Sequence, residues 1–110
     1  MSVEAELLNW FIKRLPDGYK YDLEHRFYGA VIDLWVESPS EVWIVEAEKV
    51  GDHKPLGQLL YYGYLYESNS ITKPFKLILV YRDEAAYTKG LFGHYGIRLE
   101  KPDHDARFWK

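Results

Sequence analysis

The chain has 110 residues, of which 47% are hydrophobic and 17% aromatic, so it can build one modest core and we expect a single domain over residues 1–110. It has no cysteine, which excludes disulfides, thiolate metal sites and a cysteine nucleophile. The formal net charge is −3, with 6 Lys and Arg against 11 Asp and Glu in residues 1–55 and 8 against 6 in residues 56–110, which argues against a nonspecific nucleic-acid coat protein.

The N-terminal sequence is acidic and does not show the basic start and apolar run of a secretory signal. No apolar stretch approaches the roughly 18 to 20 residues that would cross a bilayer. We therefore expect a soluble, cytoplasmic protein with no membrane partner.

The first three predicted elements are a helix and two strands. Apolar residues recur at three- and four-residue spacing over residues 3–15, which predicts an amphipathic helix with Ser2 as its N-cap. Pro16-Asp17-Gly18 ends this helix. Residues 19–27 alternate loosely and favour a strand, and a second strand is predicted over residues 29–36.

A turn signal separates the second strand from the third. Ser38-Pro39-Ser40 lies between two β-rich runs, so residues 29–37 and 41–50 are predicted to form an antiparallel hairpin. We expect Trp35 and Trp43 to face each other across this hairpin.

The second half of the chain is predicted to alternate between helices and strands. Residues 51–55 favour a polar loop and residues 56–67 a helix, whose tyrosines would pack on the sheet or stack on bases. The apolar run 75–81 predicts a strand covered on both faces, followed by a helix over 83–92 and a strand over 95–99. The order α-β-β-β-α-β-α-β predicts an α/β or α+β fold with a sheet flanked by helices.

Three acids lie in apolar strand sequence, where an unpartnered carboxylate is costly to bury. Side chains two apart in a strand share a face, so Glu46 and Glu48 should project together, and Asp33 should converge on Glu46 from the neighbouring strand. With the carbonyl of Ala47, these oxygens would suit a hard cation such as Mg²⁺ or Mn²⁺. Such a cation could activate a water beside Glu48 for attack on a phosphodiester.

The ordered set of motifs is similar to a known nuclease family. Asp33, then Glu46-Ala47-Glu48, then Gln58-Leu59-Leu60-Tyr61-Tyr62 resembles the PD-(D/E)xK, or restriction-endonuclease-like, nucleases, and the last motif resembles their RecB-type branch. The resemblance spans roughly residues 20–100. It implies a mixed sheet flanked by helices and a Mg²⁺- or Mn²⁺-dependent deoxyribonuclease.

The resemblance also assigns roles to single residues. Asp33 and Glu46 would be metal ligands. Glu48 stands where most members have lysine, and some restriction enzymes are similar in placing a glutamate there as a ligand or general base. Gln58 and Tyr62, one helical turn apart on one face, would orient the site or contact the nucleic-acid backbone.

A cation must then replace the missing lysine. Lys49 is adjacent but projects to the other face of the strand, whereas Lys54 precedes the second helix and has His53 beside it. Glu24 and Glu6 match the family more weakly, as accessory acids.

Simpler structural roles stay open for the same residues. Asp33 could pair with Arg26 or Lys49, and Glu46 and Glu48 could line the solvated face of an edge strand.

Two functions therefore follow from the sequence. The first is a metal-dependent nuclease acting on DNA, with RNA as a further possible substrate. The alternative is an inactive module of the same fold that binds nucleic acid or a protein. Cutting two strands with this fold needs two active sites, so we expect a homodimer whose interface uses Leu91, Phe92 and Tyr95, or Phe108 and Trp109.

Overall fold

The computed structural model describes residues 1–69 and 71–102, and eight elements follow one another in the predicted order. They are helix α1 (Val3–Ile12), strands β1 (Lys20–Phe27), β2 (Ala30–Glu37) and β3 (Val42–Val50), helix α2 (Lys54–Ser68), strand β4 (Phe75–Asp83), helix α3 (Thr88–His94) and strand β5 (Arg98–Glu100). The predicted interface residues Phe108 and Trp109 lie outside the described residues.

The five strands form one mixed sheet in the order β1-β2-β3-β4-β5. β1, β2 and β3 are antiparallel neighbours, whereas β3, β4 and β5 run parallel. The predicted hairpin is confirmed, and its register pairs Leu34 with Val45 and Glu37 with Val42. A parallel β3–β4 pair needs a crossover, which α2 provides.

Alternation along the central strands divides the core between the two faces of the sheet. Trp43, Val45 and Ala47 of β3 face α1, whereas Val42 and Ile44 face α2. β4 alternates in the same way, so its prediction as a strand covered on both faces is confirmed.

The predicted pairing of Trp35 and Trp43 is wrong. The register sets Trp35 opposite Ile44 and Trp43 opposite Val36, one residue away from the expected pairing. Because successive side chains alternate between faces, this offset places Trp35 in the core under α2 and Trp43 in the core under α1.

Several element ends differ from the predicted positions, and α2 begins at Lys54, inside the predicted loop. α1 ends at Ile12, since its last turn tightens ahead of Pro16, which disfavours helical geometry in the residue before it. α3 begins at Thr88 because Asp83 still pairs with Val50 in the β3–β4 ladder. β5 begins at Arg98.

The predicted interface residue Phe92 belongs to the core. It is fully buried, so it is not available to a partner chain, whereas Tyr95 is exposed. No helix within the described residues is long and apolar enough to cross a membrane.

Candidate active site

The centre of the site is the point where β2 and β3 part. Their backbone pairing ends at Leu34 and Val45, and the next residues bond through side chains. The Asp33 N–H donates to Oε2 of Glu46 at 3.3 Å, and the Ala47 N–H donates to Oδ2 of Asp33 at 3.1 Å. Hydrogen bonds from backbone N–H groups to these two carboxylates therefore replace the backbone pairing between β2 and β3 at this point. Each carboxylate is held by the backbone of the opposite strand.

Glu46 is a buried acid next to a second acid. It is 3% exposed, and burial together with the adjacent Asp33 carboxyl raises its pKa well above the ordinary value. None of the ion pairs within the described residues includes Asp33, Glu46 or Glu48. The solvated-face interpretation of Glu46 is therefore wrong, because this acid is buried against a second carboxyl group.

Tyr62 of α2 lies beside Glu46 on the side of the sheet that α2 covers. Its hydroxyl donates to the Val31 carbonyl oxygen at 3.2 Å, and its ring is buried in the core under α2. Burial and the nearby Glu46 carboxyl both raise the pKa of Tyr62. The phenol therefore stays neutral and fixes α2 against β2 beside Glu46.

Glu48 lies where β3 no longer has a neighbour on the β2 side. It lines a cleft of about 420 Å³ between α1 and the sheet, together with Glu4, Glu24, Asp33 and Ala47. Partial burial raises the pKa of Glu48, and the charges of Glu4 and Asp33 raise it further. Glu48 is consequently an acid whose basicity exceeds that of an ordinary glutamate.

Glu24 reaches this cleft through an unusual backbone conformation. It lies level with Asp33, between the pairs Leu23–Leu34 and His25–Ile32, and its φ is +50°. Left-handed residues other than glycine are uncommon and concentrate at functional sites. The twist places both Leu23 and Glu24 on the cleft side, although neighbouring strand residues normally face opposite ways.

Lys54 begins α2, and its charge lowers the pKa of Glu48, although burial and the neighbouring acids have larger, opposite effects. The backbone N–H of Lys54 donates to Oδ1 of Asp52 at 3.0 Å. Lys49 is exposed near the end of β3 and does not line the cleft. His53 is turned toward the loop before α3, where its Nδ1 lies 3.3 Å from the Tyr87 hydroxyl.

Two other predicted residues lie at the margin of the site. Gln58 is exposed on α2, one turn before Tyr62. Glu6 is partly buried, and the cleft is lined by Glu4 instead, since helix residues two apart project to different sides.

Glu4 is the acid that the sequence interpretation missed as part of the site. An acid in the first turn of a helix is ordinary, because it interacts favourably with the helix dipole, and no spacing in the sequence links residue 4 to residue 48. Only the packing of α1 on β3 and β4 brings the two carboxyl groups into one cleft.

The described residues contain no group of three or more His, Asp or Glu side chains gathered so closely that it could by itself hold a metal ion. Mg²⁺ is usually bound by one or two carboxylates, with waters and substrate phosphates as the remaining ligands. The pair of half-buried Asp33 and buried Glu46, which has no basic partner in the described residues, fits this requirement for two carboxylates.

The architecture is shared with two solved endonuclease structures. The crystal structure of a repair endonuclease from Pyrococcus abyssi superposes with a TM-score of 0.75 at 17% identity, covering 96% of this chain and 49% of that one. The structure of an EndoMS complex with double-stranded DNA gives 0.72 at 17% identity, covering 93% of this chain and 45% of that one.

These likenesses show the fold. The predicted mixed sheet flanked by helices is confirmed as an endonuclease-like architecture. The chain spans about half the length of each of the two structures. No protein-family model matches the chain, and no curated protein matches it.

Proposed function

We propose that the chain is a metal-dependent nuclease of the PD-(D/E)xK type, with the RecB-like glutamine motif, that hydrolyses phosphodiester bonds in DNA. The observation that carries the proposal is the pair of buried Glu46 and half-buried Asp33, which has no cationic partner among the described residues and lies where two strands part. Buried acids of this kind are costly unless a bound ion or proton compensates them.

Asp33 and Glu46 would hold Mg²⁺ or Mn²⁺, with the Ala47 carbonyl oxygen as a further ligand. The ion would supply electrostatic stabilisation of the negative charge that develops on the phosphate. The backbone donors fix the acids before substrate arrives, since Asp33 and Glu46 each accept an N–H from the opposite strand. This pre-organisation removes a reorganisation cost from the reaction.

Glu48 would act as the general base on the attacking water. Its pKa is raised by burial and by neighbouring acids, so at neutral pH it accepts a proton more readily than an ordinary glutamate does. Lys54 would stand in for the lysine that most family members carry at position 48. Its charge already acts on Glu48 and would also attract the substrate phosphate.

The second helix would position both the acids and the substrate. Tyr62 holds α2 to β2 beside Glu46, so it would keep the acid pair in place. Gln58 is exposed one turn earlier and would donate to the nucleic-acid backbone, with His53 at the edge of the same surface. Two copies of the chain would cut the two strands of a duplex.

The direct test is cleavage of end-labelled duplex and single-stranded DNA by the purified chain in Mg²⁺, in Mn²⁺ and in EDTA. We expect metal-dependent cleavage that falls at least 100-fold in Asp33→Asn, because this change removes a charge but keeps the shape. Asp17→Asn, in the exposed turn after α1, is the matched control. Cleavage in EDTA, or undiminished activity in Asp33→Asn, would refute the mechanism.

Two observations favour a second candidate, an inactive module of the same fold that binds nucleic acid or a protein partner. Glu48 occupies the family's lysine position, and no three acids within the described residues form a ready-made metal site. Calorimetric titration with Mn²⁺ separates the two candidates. An enzyme should bind the ion through Asp33 and lose this binding in Asp33→Asn, whereas an inactive module need not bind it.

A further inference from the structure

A two-stranded ribbon, residues 25–32, leaves the sheet at the candidate active site. β3 stops pairing with β2 at Leu34, but β1 and β2 stay paired through His25–Ile32, Arg26–Val31 and Phe27–Ala30. The ribbon therefore extends past the acid pair by about four residues on each strand, or about 13 Å.

The two faces of the ribbon have different surroundings. Phe27 and Ile32 are buried against the core under α2, and the Phe27 ring lies 6.2 Å from that of Tyr66. On the other face, Arg26 is exposed and Val31 is 49% exposed. Arg26 forms no ion pair within the described part of the chain.

The tip of the ribbon carries an exposed aromatic residue in a strained conformation. Tyr28 and Gly29 have φ angles of +47° and +83°, which is the pattern of a type I′ turn. Asparagine or glycine suits the first of these positions, whereas a tyrosine is strained there. Tyr28 is nevertheless 62% exposed, so burial does not account for it, and strain of this kind concentrates where a ligand is contacted.

Exposed cations lie on both sides of the acidic cleft. Arg26 lies on the ribbon, and Lys49 and Lys54 lie at the end of β3 and the start of α2. None of the three forms an ion pair in the described residues. A polyanion that crosses the cleft from the ribbon to α2 would meet positive charge at both ends.

We propose that the outer face and tip of the ribbon bind a groove of duplex DNA next to the phosphate at the acid pair. This inference rests on the proposed function and names its substrate as double-stranded. Arg26 contacts a backbone phosphate, and Tyr28 and Val31 pack on the sugars and base edges of the groove. The ribbon offers one exposed ring and no row of rings, whereas single-strand platforms stack several successive bases. A reach of about 13 Å covers about four base pairs on one side of the cut.

The test measures binding without cleavage. Every protein carries Asp33→Asn, and fluorescence anisotropy gives the Kd for a 20-base-pair duplex and for one of its strands in Ca²⁺. The ribbon variant combines Arg26→Gln with Tyr28→Asn, because asparagine suits the turn and the hairpin should fold. The control variant combines Lys89→Gln with Tyr64→Gln, which removes the same charge and an equally exposed ring from α3 and α2.

We expect the ribbon variant to weaken duplex binding about tenfold and single-strand binding less than twofold, with the control variant within twofold of the parent for both. A duplex Kd within twofold of the parent overturns the proposal, as does an equal loss for single strands or in the control variant. Cleavage is measured separately with the unmodified chain. If that chain cleaves nothing but the Asp33→Asn proteins show ribbon-dependent duplex binding, the ribbon proposal stands and the proposed catalysis is refuted. If the unmodified chain cleaves DNA but the ribbon variant binds duplex as its parent does, the catalysis stands and the ribbon proposal is refuted.

Discussion

At the scale of single residues, the site depends on where two acids obtain their hydrogen bonds. A strand acid normally faces solvent or a basic side chain, yet Asp33 and Glu46 accept N–H bonds from each other's strands. These bonds stabilise the ionised forms, whereas burial and mutual proximity destabilise them. For Glu46 the second effect is larger, because its pKa is raised. The folded protein therefore carries an electrostatic cost that an added cation would relieve.

Glu46→Gln should stabilise the metal-free protein at alkaline pH. The pKa of Glu46 is raised on folding above its ordinary value of 4.5, so its contribution is fully present below about pH 4.5 and is lost as the pH rises toward the folded pKa. Glutamine does not titrate and keeps the acceptor for the Asp33 N–H. We expect urea denaturation in EDTA to show little difference at pH 4 and a gain of roughly 1 to 3 kcal/mol in unfolding free energy at pH 9. Glu67→Gln, exposed on α2, is the control, and a pH-independent difference would contradict the assignment.

Lys54→Met and Lys49→Met should separate the two candidate replacements for the family lysine. Removing Lys54 takes away the charge that lowers the Glu48 pKa, so the acidic limb of the kcat/KM profile should move to higher pH. Activity at pH 7 should fall about tenfold, within the usual range for losing one electrostatic partner. Lys49→Met should leave the pH of the acidic limb unchanged. If Lys49→Met moves the acidic limb and Lys54→Met does not, Lys49 is the residue that replaces the family lysine.

At the scale of elements, the β1–β2 hairpin combines two left-handed residues with a role at the edge of the site. Glu24 turns toward the cleft at φ +50°, and Tyr28 begins a type I′ turn at φ +47°. Each such conformation costs roughly 1 kcal/mol or more for a residue with a side chain. The hairpin tolerates both because one face packs on α2 through Phe27 and Ile32.

Tyr28→Asn should therefore raise stability while it lowers duplex affinity. Asparagine followed by Gly29 suits a type I′ turn, so the free energy of unfolding should rise by about 0.5 to 1 kcal/mol despite the lost contact with the Phe27 ring. Thermal denaturation would show this as a higher Tm. Tyr64→Asn, which alters an exposed helical tyrosine, should leave the Tm almost unchanged, because tyrosine and asparagine have similar helix propensities. A loss of stability in Tyr28→Asn would mean that the tyrosine has a structural role in the turn.

At the scale of the whole molecule, the sheet separates two cores and leaves the acidic cleft at the margin of one of them. α1 covers one face and α2 the other, and the cleft lies between α1 and the strands where β2 diverges. The site thus depends on both helices: Glu46 lies next to Tyr62 of α2, and Glu48 shares the cleft with Glu4 of α1. Its integrity depends on the complete α1–sheet–α2 packing.

Divalent cations should consequently stabilise the entire fold. A ligand that binds only the folded state at a concentration of 100 times its Kd adds about 2.7 kcal/mol to the unfolding free energy. We expect Mn²⁺ to raise the Tm of the unmodified chain and of Asp17→Asn, and to leave Asp33→Asn unchanged. Equal shifts in all three proteins would mean that the ion binds elsewhere.

The sequence located the acid pair because short-range rules govern it. The turn at residues 38–40 and the two-residue period of strands brought Asp33 beside Glu46, and the bonds between them confirm that proximity. The same rules gave the element order. They were wrong for Trp35 and Trp43, because a shift of one residue in register reverses the face and the sequence does not fix that shift.

The sequence by itself determined the elements, their order and which acids are carried into the middle of the sheet, since apolar periodicity and turn residues act locally. Only the tertiary structure decided where β2 and β3 diverge and how deeply Glu46 is buried. It also decided that Glu4 lines the cleft and that Tyr62 fixes α2 to β2 beside Glu46. These features depend on contacts between residues far apart in the chain. Such contacts form when the helices pack on the two faces of the sheet, and no local pattern records them.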